Sequence, residues 1–476
     1  MNSSISVSFL FSVFFLTILC SSNKGYALGG GESLGGHHRH TVQISSLLPS
    51  SVCSYSTRDN SKEGSLEIVH KHGPCSPLNE DPANVPTATE ILSRDQSRVK
   101  SIQHQVGLGA GQYDLGARKS TIPAKSGRTI GSGNYIVTVG FGTPKQDQSL
   151  IFDTGSDVTW VQCQPCARSC YQQQEPIFTP AKSNSYKNIS CSSTECSQLT
   201  SATGNTPGCS AANTCIYGIQ YGDSSFSVGF FAKETITLSK SDVLPNIPFG
   251  CGQNNQGLFG GAAGLMGLGR NTLSLVSQTA SRFGKYFSYC LPTPSSSGYL
   301  SFGKSSSSSA KYKFTPLLPT SQSFYFFDIM GIKLGGTALS ISQAVFKTAG
   351  TIVDSGTVIT RLPPAAYSSL KTGFRQAMRK YPLTSSASIL DTCYDLSNYS
   401  SVSIPTMSFV LGGGVEVPLD AQGILYAVKA SQVCLAFAGN GGASDVGIFG
   451  NVQQQTLDVV YDVDGGKLGF GTGGCS

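Results

Sequence analysis

Histidine gives out early in this chain: all six lie at or before His104. The run Cys163-x2-Cys166-x3-Cys170 therefore has no downstream histidine, and no matching second CxxC, with which to complete a zinc site. Charge is scarce as well. Only 13% of residues are charged and the net charge of +6 is mild and scattered, so nucleic acid is not expected as a partner. Long apolar runs are missing apart from Val7 to Cys20, which is shorter than the roughly 20 residues a membrane-spanning helix needs. The glycine-dense stretch Gly260 to Gly267 lacks GxxxxGK[ST] and so is no phosphate cradle. No metal and no cofactor is expected.

What is present points to a secreted β protein. Fifty-five glycines and nineteen tyrosines suit a turn-rich sheet protein better than a helical bundle, and 476 residues leave room for two or three domains. Val7 to Cys20, followed by the small residues around Gly25-Tyr26-Ala27, reads as a signal peptide over residues 1–27, although no Lys or Arg precedes the run. The rival reading is a buried N-terminal helix. Of fifteen cysteines, Cys20 falls in the leader and Cys53 and Cys75 in the segment after it. The remaining dozen, in a secreted chain, reads as six disulfides whose connectivity the sequence alone does not give.

Residues 28–125 read as a removable segment and linker. Its start is rich in Gly, Ser and His, Leu66 to His70 alternates like a strand, and Ile91, Leu92, Val99 and Ile102 make a helical stripe beside Arg94, Arg98 and Lys100. Gly107 to Gly131 suits exposed chain open to proteolysis. Alternation then sets in at Tyr135, Val137, Val139 and Phe141, and Tyr217, Ile219 and Tyr221 lead into a hairpin tip at Gly222-Asp223. Pro363-Pro364 opens a helix with Leu370, Phe374 and Met378 on one core-facing stripe.

Two stretches organise the whole: Ile151-Phe152-Asp153-Thr154-Gly155-Ser156 and Ile352-Val353-Asp354-Ser355-Gly356-Thr357. An aspartate straight after a buried strand is costly, because desolvation disfavours its charged form. The glycines permit a sharp turn that aims backbone N–H groups inward, and the Ser156 and Thr357 hydroxyls are expected to bond the carboxylates. One Asp-Thr-Gly is usually just a turn. Two copies about 200 residues apart, each behind an apolar run, are a far stronger signal.

Together with Trp160, Tyr221-Gly222-Asp223, Leu265-Met266-Gly267 and Ile448-Phe449-Gly450, these stretches resemble the pepsin-like (A1 family) aspartic proteases over residues 130–476. The chain is most similar to the plant group around the nepenthesins and the chloroplast nucleoid DNA-binding protease. The resemblance implies an all-β, bilobal fold: two related barrel-like lobes, residues 130–310 and 311–476, flanking a cleft, with a few short helices. It makes Asp153 and Asp354 the catalytic dyad. Thr154 and Ser355 are expected to bond across the lobe junction, with Gly155, Ser156, Gly356 and Thr357 supporting the carboxylates. Tyr221, Gly222 and Asp223 become the substrate flap, with Trp160 bonding the Tyr221 hydroxyl, though both aromatics also suit plain core positions. Gly267 and Gly450 let the chain pass close behind each loop. The disulfides implied are Cys163–Cys166, Cys170–Cys251, Cys191–Cys215, Cys196–Cys209, Cys290–Cys475 and Cys393–Cys434. The basic segment resembles the family's propeptide, whose cations would pair with the dyad until acid neutralises it.

Two facing carboxylates cannot both ionise cheaply, so one holds a proton while the other serves as general base to a water. The expected function is thus an endopeptidase of acidic pH, a monomer acting on protein or peptide substrates and made as a secreted zymogen. The alternatives are a catalytically inactive pepsin-like binding or inhibitor protein, and a plastid DNA-binding protease. The expected address is the apoplast, with vacuole or chloroplast as alternatives. Only 122 residues follow Asp354, too few for the saposin-like insertion of plant vacuolar members. Asn188 and Asn398 head glycosylation sequons.

Overall fold

The computed structural model describes residues 38–48, 50–55, 64–78, 85–109, 135–221, 225–257, 259–304, 312–320, 323–429 and 431–475. The expected signal peptide, the linker from residue 110 to 134 and the flap tip Gly222 and Asp223 lie outside them.

The described residues form a mixed α/β protein, which corrects the expectation of an all-β protein with two barrel-like lobes. Helices of 22, 10 and 14 residues, Ala88–Gly109 (α1 below), Thr194–Thr203 and Pro364–Ala377, stand among the strands. The sheets are open. The largest has 15 strands and runs from an edge at Lys313–Pro316 to an edge at Gly208–Cys209, with one extra cross-pairing of Gly140 and Phe141 to Thr237 and Ile236. A five-stranded sheet runs from Tyr325–Phe327 to Phe437–Gly439. Glycine and tyrosine abundance registers strand content but not how sheet edges meet, and it passes over a helix as polar as α1.

The large sheet draws on both halves of the chain: Tyr286–Cys290 pairs with Asp458–Asp462, and Lys313–Pro316 with Lys467–Gly471. It also takes in Ser65–His70, seated between Ser297–Phe302 and Tyr135–Phe141. Each Asp stretch ends a buried strand. Gln146–Asp153 pairs in parallel with Gly264–Gly267 in the large sheet, and Thr351–Val353 pairs in parallel with Gly447–Phe449 in the five-stranded one. Gly267 and Gly450 follow from this packing. A Cβ on Gly267 would lie 2.3 Å from the Asp157 backbone, and one on Gly450 would lie 2.8 Å from Val358 O.

Helix α1 begins with reciprocal capping: Glu90 Oε2 accepts from Thr87 N–H (2.7 Å) and Thr87 Oγ1 from Glu90 N–H (3.3 Å). Its buried face, Leu92, Asp95, Val99 and Ile102, follows the three-to-four spacing of a packed helix. Leu92 packs with Val358 and Ile359, and Val99 and Ile102 with Ile352 and Ile448. The helix therefore lies on the second Asp stretch. The Pro364–Ala377 helix buries Leu370 and Phe374, with Met378 at its C-cap, as its stripe requires.

Seven disulfides occur among the described residues. Cys290–Cys475 and Cys393–Cys434 are pairs the resemblance implied, the latter opposed in antiparallel register. The other four implied pairs are replaced by Cys163–Cys251, Cys166–Cys170, Cys191–Cys209 and Cys196–Cys215. Register explains the first: Trp160–Gln162 runs parallel to Gly250, Cys251 and Gly252, so the chain delivers Cys163 beside Cys251 and leaves Cys166 to the nearby Cys170. Cys53–Cys75 pairs two cysteines that had been given no partner. Asn188 and Asn398 are exposed.

Candidate active site

Both Asp loops close on their own carboxylates. Gly155 N–H donates to Asp153 Oδ1 (3.0 Å) and Gly356 N–H to Asp354 Oδ1 (3.1 Å). The loops are also locked to each other. Thr154 N–H donates to Ser355 Oγ (3.1 Å), and Ser355 N–H to Thr154 Oγ1 (2.9 Å), with all these groups buried. The symmetry breaks one residue further on. Thr357 Oγ1 donates to Asp354 Oδ2 (2.6 Å), whereas the Ser156 hydroxyl is buried without a hydrogen-bond partner. The expected contact of Ser156 with Asp153 is therefore not formed; the outer Asp153 oxygen faces Arg98 instead.

Arg98 of α1 holds the two carboxylates together. Its Nη2 donates to Asp153 Oδ1 (2.7 Å) and Asp354 Oδ1 (2.9 Å), its Nε to Asp354 Oδ2 (3.0 Å), and its Nη1 reaches Asp153 Oδ2 (3.4 Å). One guanidinium nitrogen bonded to both acids means that Asp153 and Asp354 face each other across a gap of two hydrogen bonds. The Arg98 side chain is 14% exposed and the aspartates almost wholly buried, so this is a charge cluster largely withdrawn from water. Burial pushes the Asp354 carboxyl up, but the Arg98 cation and the hydrogen bonds from Arg98, Thr357 and Gly356 outweigh it and hold its pKa below the ordinary value. Burial likewise disfavours the Arg98 cation, and the two facing carboxylates reverse that and raise its pKa. The loop glycines are required by this closeness. A Cβ on Gly155 would stand 2.7 Å from Asp354 Oδ1, and one on Gly356 2.7 Å from Asp153 Oδ1.

Trp160 is buried at the other wall, and its Nε1–H donates to Tyr221 Oη (2.8 Å). Both rings also lie against Phe259, so Trp160 is a core residue and the partner of Tyr221 at once.

Several neighbours carry no sequence signal of their own. Asn451 Nδ2 donates to Ser355 O (2.9 Å) and Gln454 Nε2 to Asp354 O (3.2 Å), supporting the second loop from behind. Asp157 accepts from Asn271 N–H (2.9 Å), and burial pushes its carboxyl up to about 7 against the hydrogen bonds from Ser323 and Asn271. Asp95 and Arg361 form a second fully buried ion pair (2.9 Å) one helical turn from Arg98. Cys163, Cys166 and Cys170 are all in disulfides. Among the described residues no group of three or more His, Cys, Asp or Glu is placed to hold a metal ion, and no helix is long and apolar enough to cross a membrane.

Residues 135–304 match the family described as "Xylanase inhibitor N-terminal", and residues 324–472 the one described as "Xylanase inhibitor C-terminal". The chain is 57% identical over 443 residues to "Aspartyl protease family protein At5g10770" of Arabidopsis thaliana, covering 92% of this chain and 93% of that one. It is 50% identical over 440 residues to "Aspartyl protease AED1" of the same plant, covering 92% of each. Among solved structures, that titled "Crystal structure of edgp" superposes with a TM-score of 0.58 at 22% identity, covering 71% of this chain and 91% of that one.

Proposed function

This chain belongs to the pepsin-like aspartyl proteases of plants, and from that premise we propose that it is an aspartic endopeptidase with Asp153 and Asp354 as its dyad, held inactive by α1 until acid releases it. The observation that carries the proposal is Arg98, whose single fork bonds all four carboxylate oxygens. While it stays, neither acid can take up a water or a substrate. Protonating a carboxylate removes one half of the charge pairing, and α1 then holds by its apolar face, the Asp95 contact and the two hydrogen bonds that Gln103 exchanges with Val446. Residues 28–125 are the propeptide and linker in this reading, and residues 130–310 and 311–476 each bring one catalytic loop.

With Arg98 gone, the two carboxylates share one proton across their gap. The ionised one takes a proton from a water as the water oxygen bonds the scissile carbonyl carbon. The protonated one gives its proton to the carbonyl oxygen. The tetrahedral diol then collapses: the C–N bond breaks as the protonated carboxyl gives its proton to the leaving amine, one diol hydroxyl passes its proton to the ionised carboxylate as the product carbonyl re-forms, and the dyad again holds a single shared proton. The freed Ser156 hydroxyl turns to Asp153, matching the Thr357 bond on Asp354. Tyr221, steadied by Trp160 and followed by Gly222 and Asp223, closes over the substrate. The enzyme works outside the cell, in keeping with the six disulfides found among the described residues of 130–476.

A binding protein without catalysis is the second reading. It is favoured by the description of the family that matches residues 135–304 and 324–472. Two complete Asp loops weigh against it. The plastid DNA-binding reading gains nothing from a net charge of +6. The test is acidification of the full chain, made in a disulfide-permissive host, followed by cleavage of a denatured protein with and without pepstatin. We expect pepstatin-sensitive cleavage that is lost in Asp153→Asn and Asp354→Asn. A folded wild-type protein that cleaves nothing between about pH 2 and pH 8 overturns the proposal in favour of the binding protein.

A further inference from the structure

Arg98 is only half of the grip of α1. One turn earlier, Asp95 is fully buried, and its carboxylate accepts all its hydrogen bonds from a single short segment beyond the second Asp loop. Oδ1 accepts from Val358 N–H (2.6 Å), and Oδ2 accepts from Ile359 N–H (3.2 Å) and Arg361 Nη2 (2.9 Å). The other edge of the same segment is already taken. Thr357 O and Val358 O accept from the N–H groups of Asn451 and Val452 (2.7 and 3.1 Å), so the free N–H edge faces α1. Arg361 is 1% exposed. Its Nη1 donates to Ile359 O (2.7 Å), its Nη2 also reaches Gln96 Oε1 (3.3 Å), and its Nε is buried without a partner.

Once α1 leaves, two backbone N–H groups and a guanidinium lose their acceptor together. The cavity that reaches Arg361 is walled on one side by α1, so departure of the helix opens a guanidinium and two N–H groups, aimed at one point, to an incoming carboxylate. Asp445 lines the same 260 Å³ cavity that reaches Arg361 between α1 and Asn440, and its Oδ2 accepts from Gly442 N–H (2.9 Å) rather than from Arg361. We infer that Arg361, with the Val358 and Ile359 N–H groups, forms a carboxylate subsite in the mature cleft, and that the enzyme prefers substrates carrying a Glu or Asp side chain there. Asp95 is then the occupant that the substrate replaces. Three residues of helix advance about 4.5 Å, and an extended peptide advances about 3.3 Å per residue. The acidic residue therefore falls within one or two positions of the cleaved bond.

This rests on the protease reading above, and the experiment separates the two. One peptide that the acid-activated wild type cleaves is remade with Glu at each of the three positions on either side of the bond. Each has a Gln counterpart, and all are assayed at about pH 5, where Glu is largely ionised. At one position kcat/KM for Glu is expected to exceed that for Gln by about 10-fold or more. That preference is expected to fade as the pH falls through the usual Glu value, and to collapse in Arg361→Gln. The wild-type comparison decides the matter even where Arg361→Gln fails to fold. Pepstatin-sensitive cleavage with every Glu/Gln pair within about twofold overturns the subsite and leaves the protease standing. Absence of pepstatin-sensitive cleavage of any peptide overturns both.

Discussion

Arg98 and Thr357 both donate to Oδ2 of Asp354, and together they set how that carboxylate answers to acid. Asp354 has its pKa lowered in the closed state by Arg98, Thr357 and Gly356 against the pull of burial. A carboxyl with a depressed pKa contributes stability that is present above its ordinary value of 3.8 and is lost as the pH falls through the lowered one. Acid is therefore expected to loosen α1 from the two carboxylates. Removing Arg98 does the same at any pH, since breaking a buried pair on one side costs about 3–5 kcal/mol. Arg98→Gln is expected to process and cleave at less acidic pH than wild type, read as the pH midpoint of processing on a gel; an unchanged midpoint would place the restraint elsewhere. Thr357→Val removes the hydroxyl that steadies ionised Asp354. The acid limb of its kcat/KM profile is expected to move to higher pH. At this scale the sequence was informative, because Asp153, Asp354 and their glycines sit in a repeated pattern that chemistry explains. Asp95 and Arg361 were not legible, since an acid on an apolar stripe looks like a gap until its partner 266 residues away is in view.

Helix α1 and strand Ser65–His70 belong to the segment read as removable, yet the strand is built into the middle of the large sheet. Its alternation was readable; its neighbours were not, because pairing depends on register between strands far apart in the chain. The last residue of the strand, His70, is expected to make its docking depend on pH. His70 packs edge-on against Tyr135, and its Nδ1 accepts from His72 N–H (3.3 Å), a bond that a proton on that nitrogen would abolish. Burial, with the His72 and Lys71 charges, pushes its pKa down from 6.5 to about 3. The sign follows: the docked strand holds His70 neutral while the undocked one takes a proton below 6.5, so docking weakens as the pH falls from there towards 3. Allowing for the part of the ring that still meets solvent, the loss at pH 5 is about 1–2 kcal/mol. His70→Gln keeps an acceptor and cannot gain a charge. It is expected to need more acid for processing, and a midpoint equal to that of wild type would show that the strand takes no part in release.

At the scale of the molecule, the ties between the two halves include the Thr154–Ser355 exchange, the shared 15-stranded sheet and the Cys290–Cys475 bond. The repeated Asp stretches made the duplication legible from sequence. The shared sheet and most disulfide pairs were not, because the pairing of Cys163 with Cys251 follows from a parallel register that composition does not encode. The disulfide tie can be weighed. Cys290 and Cys475 are 185 residues apart and Cys393 and Cys434 are 41 apart. If a cross-link acts by restricting the unfolded chain, these separations correspond to about 5 and about 4 kcal/mol. The double variant Cys290→Ser/Cys475→Ser is then expected to lower Tm by about 5–10 °C, and Cys393→Ser/Cys434→Ser by somewhat less. The reverse order would assign the larger effect to native packing, because Cys393 and Cys434 are both fully buried beside Leu390 and Ala436. In that case the chain-entropy account fails for this fold, and the C-terminal bond serves chiefly to keep the end of the chain against the sheet that joins the halves.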